Sequence, residues 1–298
     1  MIVTAALAPP SGHTLLVVGQ DVPSIAAYSR EVGGDPAGYA AYTAIADVDG
    51  LEASVDHGGG LQHARAVLDT HPNAVLQLGL YMVGQLERVA DGTLDTNVDR
   101  LAGWIKGTRR PVYLRVGYEF DLPENHYAPE PYRRAFRHLV DRFRRDGVRN
   151  CAFVWHSQAQ PGGGDPLGWY PGDGYVDWFA VSCFDQKSAK ELDGFANLAK
   201  RHRKPLMVAE SAPWRLPAAE AWNRWYAGLF RFVERHDVAM LCSIFVDWDA
   251  LPIFAAQHWG DTRLSTPDLR ARWLAETARP RYLHAKPDLF ARLGYRPR

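Results

Sequence analysis

With 298 residues, of which 47% are hydrophobic and 23% charged, the chain can bury an ordinary globular core and fits one barrel of alternating strands and helices, a fold of about 250 residues. Lys and Arg together number 34, as do Asp and Glu, so no excess charge attracts nucleic acid or an acidic membrane. No stretch reaches the roughly 20 apolar residues of a membrane helix. We therefore expect one domain over residues 1–298 that binds neither nucleic acid nor membrane.

Short runs of β-branched and aromatic residues recur along the chain, separated by segments whose apolar residues are three and four positions apart. This alternation is typical of strand–helix–strand units. In chain order the predicted strands are Leu15–Gly19, Leu51–Val55, Ala74–Leu78, Val112–Val116, Cys151–Trp155, Trp178–Cys183, Leu206–Ala209 and Met240–Val246. Eight parallel strands close an α/β barrel of the (β/α)₈ or TIM type, which is the fold we predict.

Helices are predicted between these strands. They are Leu61–Asp69, Asp95–Lys106, Pro131–Asp146, Leu192–His202 and Ala218–Arg235. Along Tyr132–Asp146 an apolar stripe alternates with arginines, which predicts one buried face and one solvated basic face. Gln160–Asp173 is rich in Gly and Pro and is predicted to be a long loop, of the kind that shapes a substrate cleft on a barrel.

The three cysteines, Cys151, Cys183 and Cys242, each lie in an apolar run, and their odd number favours buried thiols over a disulfide framework. The segment Met1–Pro10 lacks the basic start and long apolar centre of a secretory signal. The sequence therefore does not fix the cellular compartment: we expect a secreted protein if a signal was removed and a cytoplasmic one otherwise. We expect a monomer.

Polar residues directly follow most of the predicted strands. In a barrel of this kind the active site is assembled from the carboxyl ends of the strands, so these residues should meet at one mouth. A desolvated carboxylate costs free energy, which favours an enzyme over a barrel without function. The candidates for substrate binding among them are Asp21, His57, Tyr81, Arg115, Tyr118, His156, Asp185, Gln186, Asp247 and Asp249.

Two glutamates follow apolar strands that are fourth and seventh in the predicted order. Glu119 follows Val112–Val116, and Glu210 follows Leu206–Ala209. These positions lie across the mouth of a barrel, where two carboxyl groups can approach within about 5–5.5 Å, the separation of retaining glycosidases. One carboxyl group would protonate the departing oxygen, while the other, kept ionised by a donor such as Arg115, attacks the sugar. The alternative is that either glutamate is a structural ion-pair partner.

Four tryptophans also fall at or after strand ends. The faces of pyranose rings are apolar and stack on flat side chains, whereas their hydroxyl groups need polar partners. Any one of these tryptophans could instead belong to the core, because tryptophan is mostly buried. Together they favour a sugar cleft, and they are Trp155, Trp214, Trp248 and Trp259.

Four segments of the chain resemble glycoside hydrolase family 26 of clan A. PVYLRVGYEF (Pro111–Phe120) is similar to the family's fourth strand, where an arginine stands four residues before the acid/base glutamate. The next three strands are resembled by NCAFVWHSQ (Asn150–Gln158), WYPGDGYVDWFAVSCFD (Trp169–Asp185) and KPLMVAES (Lys204–Ser211). Members of the family are retaining endo-acting hydrolases, mainly of β-mannan, with some acting on mixed-linkage β-glucan or β-1,3-xylan. The resemblance implies Glu119 as acid/base and Glu210 as nucleophile.

Three departures from the family pattern surround these glutamates. The family usually has His before the acid/base, where this chain has Tyr118, and Tyr after the sixth strand, where this chain has Phe184. The aromatic run that usually follows the acid/base is replaced by FDLPENHY (Phe120–Tyr127). Because side chains beside a catalytic carboxyl group set its hydrogen bonds, we expect the substrate and the pH profile to differ from those of mannanases.

The leading interpretation is a retaining hydrolase that cleaves a β-linked neutral glycan, of β-mannan, β-glucan or β-xylan type, by double displacement. Two alternatives remain: a hydrolase or transglycosylase of the same clan acting on a different microbial glycan, and a carbohydrate-binding barrel without catalysis. The sequence has neither metal-ligand spacing of the HExxH kind nor a GxSxG serine elbow. We expect no metal and no cofactor.

Overall fold

The computed structural model describes residues 7–159, 165–184 and 189–297, and these fold around a closed parallel barrel. Its strands are β1 (Thr14–Gly19), β2 (Gly38–Ala44), β3 (Val75–Tyr81), β4 (Val112–Val116), β5 (Cys151–Ser157), β6 (Trp178–Cys183), β7 (Leu206–Ser211) and β8 (Met240–Ile244). Neighbours in sequence pair side by side, and β1 pairs with both β8 and β2, which closes the ring. A ninth strand, β9 (Tyr282–Leu283), pairs with the start of β1. The predicted TIM barrel is confirmed.

The second predicted strand is wrong. Leu51–Val55 lies in the loop that follows β2, and the strand in its place has the sequence GYAAYTA. This strand is rich in small residues because there is little room beside it: a Cβ atom on Gly38 would lie 2.5 Å from the side chain of Val75. Small residues are weak strand signals, so the segment was missed. The strand count is unchanged: Glu119 still follows the fourth strand, and Glu210 lies near the end of the seventh strand.

Helices connect the strands around the outside of the barrel. Those that match predictions are α2 (Ala64–Thr70), α4 (Asp95–Thr108), α5 (Pro129–Arg145) and α6 (Ala189–Arg201). The predicted helix Ala218–Arg235 is divided into α7 (Ala218–Ala221), a π-helical turn (Trp222–Tyr226) and α8 (Ala227–Arg235). The sequence patterns did not reveal α1 (Val22–Glu31), α3 (Leu86–Ala90), α9 (Pro267–Thr277) and α10 (Leu289–Arg292).

Helix α5 has the two faces that its sequence predicts. Its buried residues are Tyr132, Ala135, Phe136, Leu139, Val140 and Phe143. On the other face, Arg133, Arg137 and Arg144 donate to backbone carbonyls of Gly168, Pro171 and Gly174. The arginines thus hold the loop between β5 and β6 in addition to meeting solvent. That loop includes the predicted Gln160–Asp173, of which residues 160–164 lie outside the described part of the chain.

Alternate residues of each strand face the inside of the barrel, and the others pack against the helices. The inner positions are apolar through most of the barrel's height, and among them are Leu15, Val17, Ala40, Val75, Tyr113, Ala152, Trp178, Ala180, Met207 and Met240. Towards the carboxyl ends, side chains with polar groups take over several inner positions, among them Tyr42, Arg115, His156 and Ser182. The chemistry of the fold is therefore concentrated at one mouth, as expected for a barrel enzyme.

The three cysteines are buried, as predicted. Among the described residues, no helix is both long and apolar enough to cross a membrane.

Candidate active site

An irregularity in β7 aims Glu210 at the barrel mouth. On β7, Met207 and Ala209 face the interior and Val208 faces the helices, so strict alternation would turn Glu210 outward as well. The register against β6 shifts by one residue, because Val181 pairs with Val208 but Ser182 pairs with Glu210. Such a bulge re-aims the side chains that follow it. Glu210 therefore shares the inward face of its neighbour Ser182.

Glu119 follows β4 on a tightly wound loop. Its backbone φ is +51°, in the left-handed region that costs a residue other than glycine on the order of 1 kcal/mol or more. The turn is held from both sides: the Phe120 amide donates to the His156 carbonyl at 3.0 Å, and the Asn125 side chain donates to the Glu119 carbonyl at 3.0 Å. The surrounding loop thus fixes an unfavourable backbone in order to present this one carboxyl group.

Arg115 orients Glu210. The arginine is fully buried, and its Nη1 donates to Oε1 of Glu210. Its guanidinium carbon lies 4.9 Å from the ring centre of Tyr42 and 5.1 Å from that of Tyr118. Two aromatic faces and one carboxylate therefore surround the buried cation. Removal from water strengthens the attraction between these two charges, and the contact holds the Glu210 carboxylate in place as a nucleophile.

Glu119 is held in the opposite protonation state. Burial, followed by the nearby negative charge of Glu210, raises the pKa of Glu119 to about 8. The hydrogen bond from Ser182, at 2.6 Å, and the charge of Arg115 act in the lowering direction. Glu119 is thus protonated at neutral pH. A protonated carboxyl group beside an ionised one is the arrangement required to protonate a leaving group while attacking a sugar carbon.

Two predicted substrate-binding residues act through the glutamates instead. Arg115 and His156 are both fully buried, which excludes direct contact with a polysaccharide. His156 lies between Arg115, with 3.4 Å from Nη1 to its Nδ1, and Ser182, with 3.0 Å from Oγ to its Nε2. Their prediction as substrate ligands is wrong, and their contacts make them positioning residues.

Trp155 is not part of a sugar cleft. Its side chain is 0% exposed and stacks on Phe120, with ring centres 4.5 Å apart and planes 8° apart. Phe179 and Phe195 contact it from the outer layer, at 4.9 and 5.2 Å between ring centres. Its prediction as a substrate-binding residue is wrong, because alternation along β5 turns His156 inward and Trp155 outward.

Trp155→Ala should therefore cost about 3–5 kcal/mol of folding free energy, the range for truncating a buried aromatic residue. Thermal or urea unfolding measures the loss. Trp259→Ala, which truncates the same residue type at a half-buried position, should cost clearly less. If the two variants lose equal stability, Trp155 does not hold the outer core together as its contacts indicate.

The three other predicted tryptophans follow β7 and β8 and form one cluster with Phe184, which follows β6. Trp214 is sandwiched between Phe184 and Trp259, each at 4.0 Å between ring centres and within 9° of parallel. Trp248 meets this stack edge-on, 5.1 Å from Trp259. Trp214 and Trp259 are half-buried, but both ring faces of Trp214 are covered by its neighbours, so of the two only Trp259 stays a candidate for stacking on a sugar ring. Trp248 is 2% exposed and supports the stack from below, so its prediction as a direct substrate contact is wrong.

A second aromatic group lies on the β2–β4 side of the barrel. Tyr81 is the last residue of β3, is 42% exposed, and lies 6.4 Å from the ring of Tyr118. Tyr118 in turn packs edge-on against Tyr42, at 5.5 Å. Tyr118 and Tyr81 were predicted from the sequence. The exposed face of Tyr81 offers a substrate contact, while Tyr118 and Tyr42 also enclose Arg115.

Three predicted carboxylates have structural partners. Asp21 is 4% exposed and caps α1, accepting from the Ser24 amide at 2.8 Å. Asp249 accepts from the Gly260 amide at 3.1 Å, and Asp247 lies 3.6 Å from the guanidinium group of Arg263. The contacts of Asp247 and Asp249 fasten the loop after β8, as Asp21 fastens the start of α1, and the roles of the three as substrate ligands stay predictions.

His57 was expected at the end of a strand but lies exposed on the loop that follows β2. This loop is tied to the end of β1, because Gln20 donates to the Gly59 carbonyl and Gln62 donates to the Gln20 carbonyl. His57 is therefore near the barrel mouth for a different reason from the one predicted. Asp185 and Gln186 lie outside the described residues.

Sequence reasoning missed Tyr42 and Ser182. Tyr42 was missed because its strand was assigned elsewhere. Ser182 had a detectable signal, since it is a lone hydroxyl residue at an inward position of the otherwise apolar run Trp178–Cys183. Reading the alternation of that strand together with His156 would have indicated that both face the mouth.

Comparisons with known proteins place the chain among its relatives. The sequence profile described as Glycosyl hydrolase family 26 matches residues 68–223. A beta-1,3-xylanase of Alcaligenes sp is 31% identical over 96% of the chain and 68% of that protein, and a beta-1,3-xylanase of Vibrio sp is 32% identical over 96% and 69%. The structure of a family 26 β-mannanase from Bacteroides ovatus superposes with a TM-score of 0.69 at 14% identity, covering 94% of this chain and 93% of that one, which supports the fold.

Proposed function

The chain belongs to glycoside hydrolase family 26, and from that premise we propose that it hydrolyses β-1,3-xylan with retention of anomeric configuration. The observation that carries the mechanism is a pair of buried carboxyl groups, Glu119 and Glu210, in one hydrogen-bonded cluster that favours opposite protonation states for them. A structural ion pair would account for Glu210 with Arg115 but not for a second, protonated glutamate beside it.

The reaction proceeds in two displacements. In the first, a Glu210 carboxylate oxygen bonds to the anomeric carbon as the glycosidic bond breaks, and Glu119 transfers its proton to the departing sugar oxygen. In the second, Glu119, now ionised, takes a proton from water while the water oxygen bonds to the anomeric carbon and releases Glu210. Each displacement inverts the carbon once, so the product keeps the β configuration.

The choice of β-1,3-xylan is supported by two relatives of that activity, which match nearly the whole chain at over 30% identity. The departures around the glutamates also distinguish this chain from the mannanase pattern. Phe184 stacks on Trp214, where a tyrosine of the mannanase pattern would present a hydroxyl group to the nucleophile. In this chain Glu210 accepts from Arg115, the arginine that the family pattern also has. The site thus differs from the mannanase pattern beside both glutamates.

Purified protein offered a panel of polysaccharides should release sugar fastest from β-1,3-xylan. The comparison substrates are β-mannan, β-1,4-xylan and mixed-linkage β-glucan, with products resolved by chromatography. Proton NMR of the first products should show the β anomer before mutarotation. Faster release from mannan or glucan would refute the choice of substrate, and an initial α anomer would refute retention.

Two alternatives are distinguished by the same assay. A carbohydrate-binding barrel without catalysis would bind xylan and release no product, and a same-clan enzyme acting on another microbial glycan would leave the whole panel intact. Action as a monomer and the lack of nucleic-acid binding stay predictions, as does the compartment. The half-buried Trp259, held in place by its stacking on Trp214, supports the leading proposal as an aromatic surface for a sugar ring.

A further inference from the structure

We propose that Arg115, His156 and Ser182 form a one-way line of hydrogen bonds that ends on Glu119 and determines which of its two carboxyl oxygens carries the catalytic proton. The proposal rests on the proposed role of Glu119 as acid/base. It assigns His156 and Ser182 as positioning residues: both are buried, at 0% and 3% exposure, and both act through Glu119 without touching substrate.

The direction of the line is set at its first step. Arginine has donors but no acceptor, so Nδ1 of His156, 3.4 Å from Nη1 of Arg115, must offer its lone pair. A proton on Nδ1 would point at a buried cation. Burial, together with the charge of Arg115, also lowers the pKa of His156 well below its usual range, which keeps the ring neutral. The single ring proton is therefore on Nε2.

The next two steps follow from that assignment. Nε2 of His156 lies 3.0 Å from Oγ of Ser182 and, carrying the proton, donates to it. The serine hydroxyl then has its own hydrogen left, and it donates to Oε1 of Glu119 at 2.6 Å. Since His156 and Ser182 each accept one hydrogen bond and donate the next, neither can reverse without leaving a buried group unpaired.

Glu119 therefore accepts at Oε1 in both of its protonation states. Its own proton must be on Oε2, which becomes the oxygen that protonates the leaving group and later takes a proton from water. A hydrogen bond to an ionised carboxylate is stronger than one to a neutral acid. The Ser182 hydroxyl thus opposes the effect of burial and keeps the pKa of Glu119 from rising further.

Other titratable and charged groups also face Glu119. The charges of Glu210 and Asp121 raise its pKa, and the charge of Arg115 lowers it. The groups around it, from β4, β5, β7 and the loop after β4, are Arg115, Tyr118, Asp121, Tyr127, His156 and Glu210. Among these contacts, Ser182 supplies a donor that can be removed without removing a charge.

The line also connects the two glutamates. Nη1 of Arg115 donates to Glu210 as well as to His156. The same guanidinium nitrogen therefore contacts Glu210 directly and Glu119 through His156 and Ser182. When Glu210 forms an ester with the sugar, its negative charge is lost and its repulsion of an ionised Glu119 is lost with it. Glu119 can then remain ionised and act as base, with Ser182 still donating to Oε1.

Ser182→Ala tests the line through the pH profile of kcat/KM. The first displacement needs protonated Glu119, so activity falls as the pH rises through the pKa of this group. Loss of a donor to the Glu119 carboxylate raises the pKa of Glu119. The fall in kcat/KM at high pH, the basic limb of the profile, should therefore move upward by about one to two pH units. Ser182→Thr keeps the hydroxyl group and should restore the limb towards the wild-type position.

A second pair of variants tests the direction of the line. In His156→Gln the amide oxygen can accept from Arg115 and the amide nitrogen can donate to Ser182, so the basic limb should stay close to wild type. Leucine can neither accept from Arg115 nor donate to Ser182. The basic limb of the pH profile of His156→Leu should therefore move in the same direction as that of Ser182→Ala. Ser243→Ala is the matched control, since this buried serine of β8 contacts Tyr226 instead of Glu119.

The outcomes separate this proposal from the proposed function. If Ser182→Ala and His156→Leu keep the wild-type basic limb while a Glu119 variant loses activity, the line is refuted and the assignment of Glu119 stands. If Glu119 variants keep full activity and the wild-type limb, the assignment itself is refuted. A limb that shifts equally in Ser243→Ala would also refute the line, because any buried hydroxyl would then suffice.

Discussion

Glu210→Gln is expected to lower turnover by about four to six orders of magnitude, the range for removing the nucleophile of a catalytic unit. The amide cannot form the glycosyl ester, so the first displacement has no nucleophile. Glutamine is preferred to alanine because its carbonyl oxygen still accepts from Arg115. Alanine would leave that cation buried and unpaired, at a cost of about 3–5 kcal/mol of folding free energy.

Initial rates on β-1,3-xylan and a thermal unfolding curve check this result together. Glu220→Gln makes the same change at an exposed glutamate of α7 and should leave both unchanged. Full turnover in Glu210→Gln would remove the nucleophile from the mechanism. Loss of turnover together with loss of the fold would instead show that the Arg115 contact is needed for stability.

Glu119→Gln should slow hydrolysis of the polysaccharide by about two to four orders of magnitude, the usual contribution of a general acid or base. The effect should be much smaller in the first displacement of an aryl glycoside whose leaving group departs without a proton. The sign of the pH effect follows from the raised pKa of Glu119, about 8. The wild-type enzyme loses its acid as the pH rises through that value, so its activity should fall. The variant has no such acid, and its pH profile should lack this basic limb.

Steady-state rates on both substrates between pH 5 and pH 10 distinguish these effects. Burst kinetics on the aryl glycoside should show an accumulated glycosyl enzyme in Glu119→Gln, because its second displacement lacks a base. An equal loss on both substrates, with the basic limb intact, would mean that another group supplies the proton.

The order of the barrel strands could be predicted from the sequence because most strands are apolar runs followed by polar residues. Glu119 and Glu210 were found for this reason. Arg115 was found as the one charged residue within the apolar run of its strand. Trp155 was misassigned although the needed information was present. A strand alternates with a period of two, so Trp155 and His156 cannot both face the mouth.

Other features of the site follow from contacts that the sequence does not display. The strand GYAAYTA was missed because four of its seven residues are Gly or Ala, and Tyr42 was missed with it. At Gly38 the small residue is required, since a side chain there would clash with Val75. The line from His156 through Ser182 depends on the relative height of two strands, which the local pattern leaves undetermined. Strand register is set by packing between neighbours across the whole barrel.

The shifted register of β7 bears on how relatives of this protein should be compared. One extra residue between Met207 and Glu210 separates a carboxyl group aimed into the mouth from one aimed at the helices. A homologue that had lost that residue would still align with both acidic side chains and would still fold as a barrel. A sequence alignment that checks only whether both glutamates are present would miss inactivation by such a deletion. The number of residues between Met207 and Glu210 is therefore a better indicator of an active homologue than the glutamates alone.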